Sequence, residues 1–529
     1  MSITSLIFFI FVAVCAIIYY LVPKKAQWIV LLIASLGFYA LSSTVLTLFM
    51  LASVLLIYLG AMKIQSFSDE FKAKKAELEK AERKLLKAKI RKKKKRILTL
   101  IVILNLAVLI VLKYSNFLGG IANSIIGAFT QTEPIPSFNF ILPMGISYYT
   151  LMAISYIVDV YRGTIRAEKN PCRLLLFVCY FPHIIEGPFD RYNKLDSQFR
   201  QPHSFDYDTV KNGGILILYG LFKKLVIADR IGLIASGIFE QADTMSGTSI
   251  AVAIIAYTIQ LYCDFSGCID MVSGISEIFA IKLAQNFNQP FFSRSINEFW
   301  RRWHITLGLW LKEYVFYPIS LSRSFKYINN TAKKHIKNEY FVQIVPAAYA
   351  LFFVWLCNGI WHGTSAKYIF YGLYYYILMM LGEFTRPFTD RLCSSLKINR
   401  TAKPYHLFQM ARTFIIVNIG MLIFRSATLK ESTSLFLHIF GSVSFSELFT
   451  EDIIPRISYK DYIVLLAGII IIFVIGLLKE NGHSIREELN NKPIVFRWII
   501  YLLLIFSLLI TGMYGSSAAG GAGAIYAQF

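Results

Sequence analysis

Apolar runs of about 18 or more residues recur from one end of this chain to the other, and each is the length a helix needs to cross the hydrocarbon of a bilayer. Nothing else in the sequence constrains the fold as tightly. In lipid, every backbone N–H and C=O must be satisfied inside the protein. Runs of this kind are therefore helices, and the chain is expected to be an all-α polytopic membrane protein. Composition agrees. Of the 529 residues 56% are hydrophobic, and mean hydropathy is +0.54, whereas a soluble domain is about 45–50% apolar. The 43 Phe, 31 Tyr and 7 Trp suit membrane interfaces and intramembrane cavities.

The runs place apolar segments at about 4–22, 27–43, 45–63, 97–113, 140–160, 210–238, 248–263, 265–282, 342–358, 362–384, 408–426, 461–478 and 497–514. Some are half-spans, so about eleven transmembrane helices are expected, with re-entrant and amphipathic pieces between them. The first run has no basic stretch before it and no small-residue cleavage site after it. It is therefore expected to be a retained span rather than a signal peptide. Basic loops set the orientation. "PKK" (Pro23–Lys25), the large basic stretch after the third span and "VYRGTIRAEK" (Val160–Lys169) share one side if the N-terminus is outside. The positive-inside rule makes that side cytoplasmic, in a multi-pass protein of the cell membrane.

Net charge is +22, and residues 69–96 supply +9 of it with 14 basic and five acidic side chains. Nucleic-acid binding is one reading of such a run. The flanking spans favour another: a cytoplasmic juxtamembrane helix attracted to anionic membrane lipid, as a hairpin arm or a membrane-surface strap, with no nucleic-acid partner. Phe71, Leu78 and Leu85 repeat every seven residues, and Glu70–Lys74 and Glu79–Arg83 have the spacing of helical ion pairs. The chain divides into N-terminal spans (1–62), this basic segment (63–96), a core (97–430) and C-terminal spans (431–529).

Two regions break the pattern. "CYFPHIIEGPFDRYNKL" (Cys179–Leu195) is apolar and then interrupted by Pro182, Gly187 and Pro188. Broken backbone survives at membrane depth only inside protein or against a wet cavity. The stretch from Asn286 to Ile319 is too charged to span. From Phe299 it reads as an amphipathic helix, with Trp303, Leu307 and Trp310 on one stripe and Arg302, Thr306 and Glu313 on another side.

Of eight histidines, only His183, His304 and His362 lie in or beside membrane-grade sequence. An ionisable group at that depth is costly and marks a functional hypothesis. His362 stands in "NGIWHGTSAKY". Gly359 and Gly363 permit close backbone approach or a helix break. Asn358 and Thr364 offer hydrogen bonds, and Trp361 offers a flat wall. Together they describe a polar pocket at a helix start, where a neutral imidazole can serve as a general base. A core histidine bonded to a carbonyl is the plainer alternative. His304 flanks the tryptophan stripe, and its plainer alternative is a tunnel or interface histidine serving structure. Arg301 and Arg302 suit either phosphate groups of a donor or lipid, or interfacial anchoring. Asp264, Asp270 and Glu298 are the acids near enough in sequence to orient a histidine, and the sequence leaves that choice open.

Seven cysteines are scattered, and the Cys263–Cys268 pair in "CDFSGC" has no second pair to complete a metal site. No metal and no permanently bound cofactor are expected. Neither a phosphate-binding P-loop nor a G-x-S-x-G nucleophile elbow occurs. Histidine chemistry without a nucleophile points to direct transfer onto a hydroxyl.

The blocks Tyr262–Ile319 and "NGIWHGTSAKYIFYGLYYY" (Asn358–Tyr376) resemble the signature of the membrane-bound O-acyltransferases (MBOAT). "LPMGISYYTLMAISYIVDVYRG" (Leu142–Gly163), "YFPHIIEGPFDRY" (Tyr180–Tyr192) and "NIGMLIFRS" (Asn418–Ser426) follow the family's further blocks in order. The likeness runs over about residues 100–430 and is greatest to the bacterial branch that modifies cell-surface polymers. The ending "AIYAQF" is similar to that branch as well. Glu186, Asp190, Cys263 and Cys268 depart from the family's usual residues.

The resemblance implies a ring of tilted helices around a central funnel. It implies His362 as catalytic base and His304 as the second family histidine, with Trp361, Asn358, Trp303, Arg301, Arg302, Asp264 and Glu298 as candidates along the substrate or donor route. The donor would be a cytoplasmic acyl thioester, acetyl-CoA or an acylated carrier protein. The acceptor would be a hydroxyl of an extracytoplasmic cell-wall polymer or exopolysaccharide, reached with an extracytoplasmic acyltransferase partner. The nearest alternative is D-alanyl transfer from a carrier protein to teichoic acid. Alternatives of another kind are a transporter or export channel and a non-catalytic scaffold.

Overall fold

The computed structural model describes residues 2–42, 44–130, 134–140, 145–184, 186–444, 447 and 457–514. The first residues of the "LPMGISYYT" block and the "AIYAQF" ending lie outside the described residues. Every regular element among the described residues is a helix, as hydrocarbon solvent demands. Eight of these helices are long and apolar enough to cross a membrane, and the 16-residue helix Leu6–Leu21 is a shorter apolar one. The chain forms two compact units.

The first unit comprises residues 1–213 and 275–284. It holds α1 (Leu6–Leu21), α2 (Gln27–Ser42), α3 (Thr44–Lys74), α4 (Lys80–Leu109), α5 (Ser115–Thr130), α6 (Ile146–Arg162), α7 (Pro171–Cys179) and α8 (Tyr192–Phe199). A π-helical turn at Ile110–Tyr114 joins α4 to α5. Local signals set the ends. The hydroxyl of Ser5 accepts from the Phe8 N–H at the start of α1. Gly145 and Gly163, both at positive φ, bracket α6.

The basic segment forms a hairpin arm, one of the two forms expected of it, and is built of two helices rather than one. α3 continues to Lys74, residues 75–79 turn, and α4 starts at Lys80 behind a reciprocal cap between Glu79 and Glu82. Leu78 therefore sits in the turn, and the heptad of Phe71, Leu78 and Leu85 does not run along a single face. The Glu70–Lys74 ion pair forms, at 3.2 Å. Arg83 donates instead to the Leu78 carbonyl at 3.2 Å, because Glu79 is occupied in the cap. At the base of the arm, Arg166 pairs with Asp69 at 3.4 Å and Lys94 donates to the Tyr161 carbonyl at 3.0 Å. The basic loop after α6 thus lies against the basic arm, as a shared membrane side requires.

The second unit comprises residues 214–274 and 285–529. Its helices are α9 (Tyr207–Leu221), α10 (Asp229–Glu240), α11 (Gly247–Ile278), α12 (Ile296–Arg302), α13 (Ile305–Leu311), α14 (Tyr317–Ser320), α15 (Arg323–His335), α16 (Glu339–His362), α17 (Ala366–Ser395), α18 (Lys403–Arg425), α19 (Leu429–His438), α20 (Tyr459–Glu480), α21 (Ile485–Asn490) and α22 (Ile494–Thr511). The chain enters it within α9 and leaves it briefly at the end of α11.

Two expected spans, 248–263 and 265–282, are one helix of 32 residues, α11. Gly267 does not break it. A Cβ on Gly220 would fall 2.5 Å from the Gly267 carbonyl oxygen, so these glycines serve close packing of α9 on α11. A π-helical turn at Phe222–Ala228 follows α9. It carries two buried lysines, Lys223 bound to Asp270 at 2.6 Å and Lys224 bound to Asp264 at 2.6 Å and Asp229 at 2.9 Å. Pairing is what makes such charges tolerable away from water.

α16 and α17 form an antiparallel pair held at backbone contact by glycine. A Cβ on Gly359 would meet the Tyr368 carbonyl oxygen at 2.3 Å, and one on Gly372 would meet the Trp355 carbonyl oxygen at 2.3 Å. Gly420 of α18 leaves room for the Tyr375 hydroxyl. The site is built on this helix pair.

Candidate active site

His362 is the last residue of α16, and Gly363 leaves the helix in extended backbone. The pocket expected at a helix start is thus at a helix end. The His362 side chain is 1% exposed. Its ring meets Trp361 at 4.9 Å, Phe424 of α18 at 5.4 Å and Tyr371 of α17 at 5.8 Å between centroids. Asn358 lies one turn earlier on the same face. It is buried, and its Oδ1 has no hydrogen-bond partner among the described residues.

His304 is held differently. The amphipathic helix expected from Phe299 onward is interrupted. α12 ends at Arg302, α13 starts at Ile305, and His304 between them has φ 46° and ψ 50°. That left-handed conformation is uncommon for a side chain with a Cβ. The stripe itself is correct, since Trp303, Leu307 and Trp310 are all buried. What periodicity missed is the kink between them.

The kink is clamped by Asn286. Its carbonyl accepts from the Ile305 N–H at 3.0 Å. Its Oδ1 accepts from the Thr306 N–H at 3.1 Å and the Thr306 hydroxyl at 2.8 Å, and faces His304 Nδ1 at 3.2 Å. The Phe265 ring packs edge-on against His304 at 4.9 Å. Sequence reading passed over Asn286. Its partners lie 18 to 20 positions away, and no local signal marks the pairing.

Both histidines line one cavity of about 500 Å3. Its walls include Trp300, Trp303, Trp355, Leu351, Met379 and Asn358, with Arg301 and Lys312 as the charged members. No carboxylate lines it among the described residues. Trp361 stands beside both imidazoles, 5.9 Å from His304 and 4.9 Å from His362.

The remaining candidates are engaged elsewhere. Arg302 binds Glu480 at 2.6 and 3.0 Å and Glu298 at 2.7 Å, which ties α12 to α20 and occupies both Arg302 and Glu298. Asp264 and Asp270 belong to the lysine pairs of the π-helical turn. His183 lies in the first unit, fully buried beside the rings of Tyr148 and Tyr180.

Residues 167–332 match the membrane-bound O-acyltransferase family, a stretch that includes His304. The chain is 34% identical over 351 residues to a probable alginate O-acetylase of Pseudomonas syringae pv. tomato, covering 66% of this chain and 61% of the relative. It is 31% identical over 449 residues to the probable alginate O-acetylase of Pseudomonas aeruginosa, covering 84% and 76%. It is also 32% identical over 251 residues to the teichoic acid D-alanyltransferase of Bacillus subtilis, covering 47% and 61%. The chain thus spans about three fifths of two of these relatives and about three quarters of the third.

Helices long and apolar enough to cross a membrane, read with these matches, define a class of membrane proteins related to acyltransferases. The chain belongs to the membrane-bound O-acyltransferase family.

Proposed function

We propose that this protein transfers acetyl from a cytoplasmic thioester to a hydroxyl of an extracytoplasmic polysaccharide. The observation that carries this reading is the single cavity shared by two buried histidines. His362 takes the proton of the acceptor hydroxyl as its oxygen attacks the thioester carbonyl. The new C–O bond forms, the C–S bond breaks, and the proton passes from His362 to the leaving thiolate. A thiol has a pKa of about 8.5, so it leaves with little help. The Asn358 amide stands one turn from the base, where it can donate to the oxygen of the tetrahedral intermediate. The tryptophan walls exclude water and hold the reactants in place.

The cavity's charge supports a neutral acyl group. A D-alanyl group carries an ammonium, and a lining with Arg301, Lys312 and no carboxylate among the described residues repels it. The same two cations suit the phosphates of a donor such as acetyl-CoA or an acylated carrier protein. In this reading no cofactor is permanently bound. The protein is multi-pass in the cell membrane, with its N-terminus outside and the basic arm cytoplasmic. An extracytoplasmic acyltransferase partner and a cytoplasmic carrier are its expected associates.

The test uses purified full-length protein in lipid nanodiscs with acetyl-CoA, or a D-alanyl carrier protein, and a polysaccharide acceptor. Thiol release matched by O-acetyl product on the polymer, absent from His362→Ala, is expected. Polymer crossing vesicles with no covalent product would make the protein a transporter. Product formed only from the D-alanyl carrier would replace acetyl by D-alanyl.

A further inference from the structure

We infer that Asn286 is a positioning residue that fixes the tautomer of His304, so that His304 meets its substrate through Nε2 as a hydrogen-bond acceptor. The inference rests on the acyl-transfer reading above and adds a direction to one of its two histidines.

At the start of α13 the backbone needs acceptors from elsewhere in the chain. The first N–H groups of a helix need acceptors from outside it. His304 is the cap residue here, and its own side chain makes no capping bond. The acceptors come from Asn286, whose carbonyl takes the Ile305 N–H and whose side chain takes the Thr306 N–H. Asn288 closes the other end of the kink by donating to the Arg302 carbonyl at 2.9 Å. Asn286 is 1% exposed, so this cap is not shared with water.

The chemistry of the cap then assigns the ring. A backbone N–H can only donate, so the Asn286 atom facing Thr306 is its oxygen and not its nitrogen. The same oxygen faces His304 Nδ1 at 3.2 Å. Two acceptors cannot bond each other, so Nδ1 carries the hydrogen. A neutral imidazole has one N–H, and the lone pair is therefore at Nε2.

This divides the labour in the cavity. His304 in its neutral form cannot donate to the oxyanion of the tetrahedral intermediate. It can accept from the acceptor hydroxyl before attack, or from the thiol of the spent donor after it. An acid is the usual partner for such orientation. An amide orients without adding a charge, which suits a cavity whose walls are mostly apolar.

The test uses the full-length enzyme in nanodiscs and reads kcat and KM for acetyl-CoA and polysaccharide. Asn286→Ala is expected to lower kcat on the order of 10- to 100-fold, with KM changed less than about threefold. Asn286→Asp keeps an oxygen in place and should recover most of kcat. Histidine-15N spectra, assigned with His304→Gln, should show the Nδ1–H tautomer in the parent and a mixture in Asn286→Ala. An Nε2–H tautomer in the parent, or a kcat in Asn286→Ala within threefold of it, overturns the inference. Equal losses of kcat and melting temperature in both variants would also overturn it, leaving Asn286 as a structural clamp. His362→Ala is run beside them. If it is dead while Asn286→Ala is fully active, only the positioning role fails. If both are fully active, the assignment of His362 as base fails as well; if the parent enzyme forms no O-acetyl product, the acyl-transfer reading itself fails.

Discussion

Two regions of this molecule bury histidine in interrupted backbone, and they use it in opposite ways. Around His183 the chain turns between α7 and α8 through Pro182, Gly187 and Pro188. A Cβ on Gly187 would come 2.2 Å from that of His183, and the Tyr148 hydroxyl closes on the Pro188 carbonyl at 2.5 Å. The departures Glu186 and Asp190 are buried in the same knot, where Asp190 accepts from the Ala284 N–H at 3.1 Å. Around His304 and His362, equal burial borders a shared cavity, with Asn286 facing the His304 ring and Asn358 one turn before His362. Burial of an imidazole therefore does not identify a site. The space beside it and the direction of its lone pair do.

The sharpest way to break this contrast is to remove each histidine in turn. His362→Ala should lower acetyl transfer about 10³-fold, the range for loss of a general base, with normal membrane insertion. Near-normal acylation in that variant would end its assignment as base. His304→Ala should cost on the order of 10²-fold in kcat, and an unchanged rate with purified donor and acceptor would return it to a structural role. Gly359→Ala probes the scaffold. Its new Cβ meets the Tyr368 carbonyl, so α16 must shift from α17, at a cost of about 1–3 kcal/mol and several-fold in kcat. Thermal unfolding followed by tryptophan fluorescence reads the first, and the same transfer assay reads the second. His183→Ala should lower stability by roughly 2–4 kcal/mol while the folded fraction keeps its kcat. A selective loss of kcat there would join the two regions into one function. The smallest effect is expected from deleting the tip of the arm, residues 72–83, which should leave kcat within about twofold. A folded but inactive deletion would make the arm a dock for the donor carrier.

Much of this was legible in the sequence, because hydrocarbon leaves a helix few alternatives. Long apolar runs marked the spanning helices, and the rarity of histidine in such runs narrowed eight candidates to three. Glycine was the ambiguous letter. Gly267 could end a helix or let another helix approach, and the pattern of one chain does not say which. In α11 it permits approach, so two expected spans became one. The kink at His304 was hidden for a related reason. Neither Gly nor Pro marks it, and the strained backbone is paid for by an asparagine 18 positions earlier. Acids were expected to orient a histidine because acids usually do. Here they neutralise Lys223, Lys224 and Arg302 instead, since an isolated cation in that setting costs more than an unoriented ring.

The glycine contact between α16 and α17 has a mechanical consequence. Two helices touching backbone to backbone at residues 359 and 372 behave as one stiff beam, and His362 is bolted to its end. The opposite wall is built differently. There the chain offers two seven-residue helices, α12 and α13, joined at His304 in left-handed backbone. Asn286 ties that joint down, so each imidazole is carried by its own support, one a glycine-locked helix pair and the other an asparagine-pinned joint.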